Sequence, residues 1–338
     1  MASRRTNASI ANSPARPATA AAGGEFRSHA LTLPPAAAGL RFDQALARAL
    51  PQYSRTLLKS WIDSGAARIE DRVMRARDRV RGGERVLIDA LLPQRTEVTP
   101  EDLPLRVVFR DRALLVIDKP AGLVVHPGAG NPRHTLQNAL LGLDGRLALV
   151  PRAGLVHRLD KDTSGLLLVA RTPEAHTALA AALAARQISR QYLAVCSGVM
   201  TGGGTVDEPI GRHRTQRLRM AVRAAGRRAV THYRVVERFR AHTLVRIELE
   251  TGRTHQIRVH LAHIGFPVVG DPLYAGRRRL PAGCTAELAA VLGGFRRQAL
   301  HAARLALVHP LTGRAMQWES PLPEDMRALL AALEADRA

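Results

Sequence analysis

Cysteine is almost missing: Cys196 and Cys284 are the two in 338 residues. So low a count excludes a disulfide scaffold and a cysteine-built zinc cluster, and it fits a reducing cytoplasm. Long apolar runs are missing as well. Nothing approaches the roughly 18 consecutive residues of a membrane-spanning helix, and neither a membrane partner nor a signal-peptide core is expected. Lysine is scarce, with Lys59, Lys119 and Lys161 the three present, and acids are outnumbered, 29 against 50 basic residues. The preference for arginine, like the abundance of alanine, is what GC-rich codon usage produces. Codon bias does not explain the shortage of acids, and a formal net charge of +21 points to a polyanionic partner. Arginine suits RNA mechanically, because its planar fork grips phosphates and stacks on bases.

Residues 1–28 mix Ala, Ser, Pro, Gly and Arg without apolar periodicity, so a disordered tail is expected there. A mitochondrial presequence would share that composition, but the amphipathic stripe is lacking. Residues 29–92 read as a small domain. In "RFDQALARAL" Phe42, Leu46 and Leu50 recur one helical turn apart, and Pro51 stops the helix. Ser54 is placed to cap a second helix, "SRTLLKSWIDSG", ended by Gly65. Strands are expected at "ARIE", "RVMRA" and "ERVLIDA", the last two joined through Gly82-Gly83. Arg55 and Lys59, four apart on one helix face, are spaced to follow a phosphate backbone, although a solvated face looks the same.

The proline-rich stretch 93–104 reads as a linker, 105–330 as the main domain and 331–338 as a C-terminal tail. Within the main domain "LRVVF", "ALLVID", "QYLAVCSG" and "TLVRIELE" have strand character, and "KPAGLVVHPGAGNP" is a loop. A helix should start at a Thr172 cap with Pro173 in its first position and run to about Gln187. Another, "HQIRVHLAHI", should be capped by Thr254 and closed by Gly265, with Ile257, Leu261 and Ile264 facing inward. Strands and helices alternate irregularly and no fixed-period repeat appears, so the class is α+β rather than a doubly wound parallel sheet.

One stretch breaks the apolar pattern. "GLVHRLDKDTSGLLLVA", residues 154–170, sets Arg158, Asp160, Lys161 and Asp162 between two runs that each read as buried strand. Burying an ion is costly unless a partner compensates it, so such an insertion points to a site. Asp160 lies nearer the preceding apolar run and is the candidate for chemistry; Asp162, before Thr163-Ser164-Gly165, suits a turn. A partner cation is available in "ETGRTHQIRVHLAHIG", where Arg258 falls beside the apolar stripe of its helix, and Arg253, in the preceding turn, suits phosphate. His255, His260 and His263 do not have the spacing of a zinc-binding helix, so no metal is expected. "HPGAGNP" lacks the lysine and hydroxyl of a phosphate loop, and a single "DTSG" does not make an aspartic protease, which needs two carboxylates.

These blocks also carry a resemblance. "HRLDKDTSGLLLVA", "RQYLAV", "GRTHQIRVHLAHIGFPVVGDPLY" and "QALHAARLALVHP" together are similar to the RluA/RluD family of RNA pseudouridine synthases. Within that family, "VVHPGAGNP", "GGTVDEPIGRH" and the preceding small domain resemble the RluD branch, which modifies 23S ribosomal RNA; a sister branch acts on other uridines of the same molecule. "YSRTLLKSWIDSGAARIEDR" resembles an S4 RNA-binding module. The resemblance implies a pseudouridine synthase fold with a mixed, mainly antiparallel central sheet, an S4-like domain before it, and an isomerisation that needs no cofactor; a monomer is expected. It implies Asp160 as catalytic aspartate, Tyr192 as the tyrosine stacking on the target uracil and contributing to loss of the C5 proton, and Arg258 as partner of the aspartate. It also implies Arg158 as the residue filling the gap left by the extruded uridine. Further RNA contacts are expected from Arg253, His255, Arg55 and Lys59. A non-catalytic RNA-binding or ribosome-assembly factor would need the charge but not the Asp160/Tyr192/Arg258 set, and a glycosylase would release free uracil.

Overall fold

The computed structural model describes residues 25–337, apart from 52, 54, 93–97, 129, 217 and 277–279. The chain divides into two units, 1–97 and 98–338. The first holds β1 (Glu25–Thr32), α1 (Phe42–Ala49), α2 (Arg55–Asp63), β2 (Ala67–Ile69) and β3 (Arg85–Leu92), with the strands in the order β1-β3-β2. Phe42 and Leu46 of α1, Leu58 and Ile62 of α2, and Val86 and Ile88 of β3 share one fully buried core. The helical spacing of the first four is what puts them on one face. Gly65, at φ 75, closes α2. The Ser54 cap lies outside the described residues.

Three expectations for this region change. Residues 25–28 belong to β1 rather than to a tail, with Glu25 opposite Leu92 and Thr32 opposite Arg85. Composition signals disorder, but it does not see that an unpaired edge of β3 needs a backbone partner. Residues 1–24 lie outside the described residues. "RVMRA" is not a strand: Glu70 and Asp71 take left-handed conformations, φ 46 and 64, and bring Arg72 back against Ile69. The chain then loops past α1, giving backbone bonds from Phe42 N to Asp78 O and from Gly39 N to Val80 O, both 2.8 Å, so β3 pairs with β1 and β2 instead. Of the linker, 93–97 lie outside the described residues, whereas 98–104 are part of the second unit. Asn138 donates to Thr99 O at 2.8 Å, and Glu101 N donates to Asn138 O at 3.0 Å.

The second unit begins with β4 (Arg106–Arg110), β5 (Leu114–Lys119), α3 (Leu136–Leu143), β6 (Ser164–Ala170), α4 (Pro173–Ala184) and β7 (Ser189–Ser197). Next come β8 (Gly204–Asp207), the two-stranded hairpin β9 (Ile210–Arg212) and β10 (Met220–Val222), then β11 (Val230–Arg238), β12 (His242–Leu249) and α5 (Gln256–His263). The chain finishes with α6 (Ala286–Gly294), β13 (Leu300–Val308), β14 (Ala315–Glu319) and α7 (Glu324–Ala335). Nine strands form one sheet, in the order β4-β5-β6-β13-β7-β12-β11-β8, with β14 on the far half of β13. All its pairings are antiparallel except β6 with β13. The unit is thus α+β around a mostly antiparallel sheet, and the parallel contact at its centre is where the site forms.

The Thr172 hydroxyl caps α4 by accepting the Ala175 N–H at 3.1 Å, with Pro173 in the first turn. On α5, His255 rather than Thr254 precedes the first helical residue, because Gln256 Oε1 closes the entry turn by accepting from Arg253 N and from the Thr251 hydroxyl. Residues 331–337 are not a tail; residue 338 lies outside the described residues. Met326, Leu329 and Leu333 recur at helical spacing and are buried, and Asp336 accepts from Arg240 and from Thr285 N, each at 2.7 Å.

Candidate active site

Every residue of β6 is buried, and the charged stretch enters it from a turn rather than from a strand. Arg152, Ala153 and Gly154 are all left-handed, φ 56, 52 and 80, and a Cβ on Gly154 would stand 1.9 Å from Ala170 O. This reversal lays 155–160 beside β6, with Leu155 bridged to Val169 and His157 Nε2 accepting the Leu168 N–H at 3.0 Å. Burial holds the His157 imidazole neutral, its pKa pushed down to about 3, with nearby Arg190 adding to the effect. The first apolar run is therefore a loop, not a strand, and the charges are not driven into the core. Arg158 and Lys161 are exposed, Asp162 is half-buried, and Asp160 keeps 17 % of its side chain in solvent.

Two cations clamp this loop from behind through its carbonyls. Lys119 is fully buried, and its ammonium donates to Pro120 O (2.7 Å), Lys161 O (2.9 Å) and Leu123 O (3.0 Å). Burial lowers its pKa to about 7, against the pull of Asp162 and Asp160. Arg297 donates to Asp162 O at 3.2 Å, and Gln298 holds the Thr163 hydroxyl at 3.0 Å. Gly165, at φ 108, lets β6 meet β13 backbone to backbone; a Cβ there would stand 2.3 Å from Ala302 O.

From the front, α5 brings Arg258. Its Nη1 donates to Asp160 Oδ2 at 2.9 Å, while Nε and Nη2 fork onto Asp271 at 2.6 and 2.9 Å. Asp271 is saturated by two further donors, Leu273 N (2.9 Å) and Tyr274 N (3.1 Å). Burial works against the charge of Arg258, but Asp271 and Asp160 outweigh it and raise the guanidinium pKa. His255 Nε2 stands 3.9 Å from the other oxygen of Asp160, Oδ1, and Nδ1 lies 2.9 Å from the Tyr274 hydroxyl. Burial lowers the pKa of His255, with the charge of Asp160 opposing and that of Arg258 assisting.

Asp160, Arg258 and His255 floor a cavity of about 520 Å³, within the size range of small-ligand sites. Asp160, Tyr192, Arg258, Arg158, Arg253 and His255 all border it. Tyr192 comes from β7 and is buried, which raises its phenol pKa. Arg186 and Arg190 add cations to the rim. Arg55 and Lys59 are elsewhere, on α2 in the first unit, and each has an acidic neighbour: Asp43, 3.5 Å from Arg55, and Asp63, bonded to Lys59. His260 bonds the Thr231 hydroxyl and Glu208 O, both at 2.9 Å, and no cluster of three metal-ligating side chains occurs among the described residues.

Sequence reasoning passed over Lys119, Arg297 and Asp271. Lys119 had a signal: where a chain so biased to arginine keeps a lysine, a compact ammonium with three donors is wanted, and three carbonyls take them here. For Asp271 and Arg297 the sequence carries no periodic cue, since both lie in irregular segments.

A sequence model described as RNA pseudouridylate synthase matches residues 113–263. The chain is 56% identical over 306 residues to a ribosomal large subunit pseudouridine synthase D of Xanthomonas campestris, covering 90% of this chain and 92% of that one. It is 55% identical over 299 residues to the protein of the same name from Pseudomonas aeruginosa, covering 88% and 93%. Among solved structures it is similar to human RNA pseudouridylate synthase domain containing 4, with a TM-score of 0.53 and 29% identity, covering 68% of this chain and 93% of that one.

Proposed function

The chain belongs to the RNA pseudouridylate synthase family, and on that premise we propose that it isomerises uridine to pseudouridine in 23S ribosomal RNA, with Asp160 as its nucleophile. The reaction breaks the N1–C1′ bond, turns the uracil and joins C5 to C1′, while one proton leaves C5 and one is gained at N1. It is an isomerisation with no redox change and no carried group, so amino-acid side chains suffice. One carboxylate starts it, by attack on C1′ of the ribose or on C6 of the base.

The observation that carries this reading is the division of labour at Asp160. Oδ2 is held by Arg258, while Oδ1 faces His255 at a distance too long for a hydrogen bond, at the floor of the cavity. A reacting oxygen must be positioned and yet unsaturated, and this one is both. Tyr192 offers a ring for the everted base, a contact worth about 1–3 kcal/mol per base, which offsets part of the cost of unstacking. Arg158, exposed at the mouth, is placed to fill the vacated stack, and Arg253 and His255 to meet the strand around it. The first unit serves as an S4-like RNA-binding domain, its α2 presenting Arg55 and Lys59 to phosphate. The enzyme works as a cytoplasmic monomer without a bound cofactor.

The test is to map pseudouridine in the 23S RNA of cells lacking the protein. The modification should be restored by the wild-type gene and not by one encoding Asp160→Asn. Normal modification in the deleted cells would remove the assignment to this RNA.

A further inference from the structure

Behind the reacting carboxylate, one tyrosine joins three parts of the site. Tyr274 is buried, and its hydroxyl accepts the backbone N–H of Met220, the first residue of β10, at 2.8 Å. Having accepted there, the hydroxyl has a single proton to give, and its other partner is His255 Nδ1 at 2.9 Å. Among the described residues the hydroxyl makes no other contact that would take its proton, so the arrangement favours Nδ1 as the lone-pair nitrogen, which in the neutral ring puts the proton on Nε2, the atom that faces Asp160 Oδ1. The Tyr274 ring also lies under two guanidinium groups, with Arg258 Cζ 5.1 Å and Arg219 Cζ 5.2 Å from its centre. Arg258 holds the other oxygen of the same carboxylate. His255 itself is left-handed at φ 56, a conformation that a non-glycine residue keeps only when its surroundings impose it.

The hairpin that Tyr274 touches is the most one-sidedly charged stretch of the chain, with seven arginines and no acid between Pro209 and Ala229. Its underside is apolar. Ile210, Met220 and Val222 pack with Tyr274 and with Val259 of α5 in a cluster separate from the main core. A load on the hairpin therefore bears directly on the helix that carries Arg258.

We propose that Tyr274 is a positioning residue that fixes the His255 tautomer and ties the basic β9–β10 hairpin to the Asp160–Arg258 pair, so that RNA seated on the hairpin aligns the reacting carboxylate. This rests on the functional reading above for its kinetic consequence, but not for its structural one. With RNA bound, Arg258 keeps Oδ2 while the Nε2–H of His255 approaches one lone pair of Oδ1, leaving the other free for attack.

The full-length protein labelled with ¹⁵N in histidine reads the tautomer directly, with His255→Gln assigning the signal. The expected result is an Nε2-protonated ring in the wild type, replaced in Tyr274→Phe by a mixture of tautomers. An Nδ1-protonated wild-type ring, or an unchanged signal in Tyr274→Phe, overturns the proposal. In turnover of a 23S RNA fragment, Tyr274→Phe should lower kcat by about tenfold, the worth of one well-placed hydrogen bond, with KM within about twofold. Arg219→Ala should lower kcat less in the Tyr274→Phe background than alone; fully multiplicative losses would sever the hairpin from the carboxylate. A wild-type protein inactive on the RNA would defeat the functional reading and leave the ¹⁵N result to decide the tautomer.

Discussion

Asp160 and Asp144 sit sixteen positions apart and are both carboxylates matched to arginine, yet they are wired oppositely. Asp144 takes Arg146 at 3.0 Å on each oxygen and Arg171 at 2.7 Å, plus the Arg146 N–H at 3.2 Å. The Arg146 side chain contributes most, and with Arg171 it outweighs the effect of burial and puts the Asp144 carboxyl well below the usual carboxylate range. Arg171, only 9 % exposed, reaches on to Asp111 O, so the group staples the start of a short helical turn to the end of β6. Asp160 is left with one strong bond, on Oδ2, and an oxygen to spare. A carboxylate that holds a fold together uses up its lone pairs; one that reacts must keep one in reserve.

The contrast is most sharply broken by Asp160→Asn. The amide keeps the shape and removes the proposed nucleophile, so pseudouridine formation should fall by about 10,000-fold or more, with RNA affinity within about tenfold. Unfolding free energy should stay within about 1 kcal/mol of wild type. Single-turnover assays and urea titration check the two halves together. Asp144→Asn should do the reverse, destabilising by about 3 kcal/mol because Arg171 loses its counter-charge, while the folded protein turns over normally. The same wiring gives a pH sign. The folded-state pKa of Asp144 lies below its unfolded value, so its stabilisation is complete above about pH 4 and lost as acid protonates it, and Asp144→Asn should flatten that acid limb.

Lys119 gives a smaller effect with the opposite chemistry. Burial brings its folded pKa down to about 7 from the ordinary lysine value of 10.5, so between these the unfolded chain holds a proton that the folded one has shed. Stability should therefore rise by roughly 1–2 kcal/mol between pH 7 and 8.5, and Lys119→Met should remove that rise. Smallest of all, Lys59→Ala on α2 should weaken RNA binding a few-fold and lower the salt slope by about 1 at most, with kcat unchanged. A loss of turnover there would contradict a purely binding role for the first unit.

What the sequence made legible follows from where the physics is local. The charged break in an apolar frame singled out Asp160, and the placement of Arg258 beside a helical stripe supplied its partner across 98 residues of chain. The helices of the first unit followed from apolar spacing, and α4 from its threonine cap and proline. The rest depended on pairing at a distance. β1 exists because β3 has an edge to cover, so composition alone assigned its first residues to a tail. The loop before β6 read as a strand because three left-handed residues, two of them not glycine, leave no pattern in hydropathy. α7 did leave one, in Met326, Leu329 and Leu333, and its assignment to a tail came from position rather than periodicity.

Gly154 and Gly165 bracket the Asp160 loop, and at each the place of a side chain is taken by the main chain of a neighbouring strand. For the gene, this means that a first- or second-base change in either codon inserts atoms where a peptide oxygen already stands. Random mutagenesis followed by selection for function should therefore recover glycine at both positions, while exposed Lys161 between them accepts replacement. The boundaries of the loop are thereby more tightly inherited than much of what lies inside it.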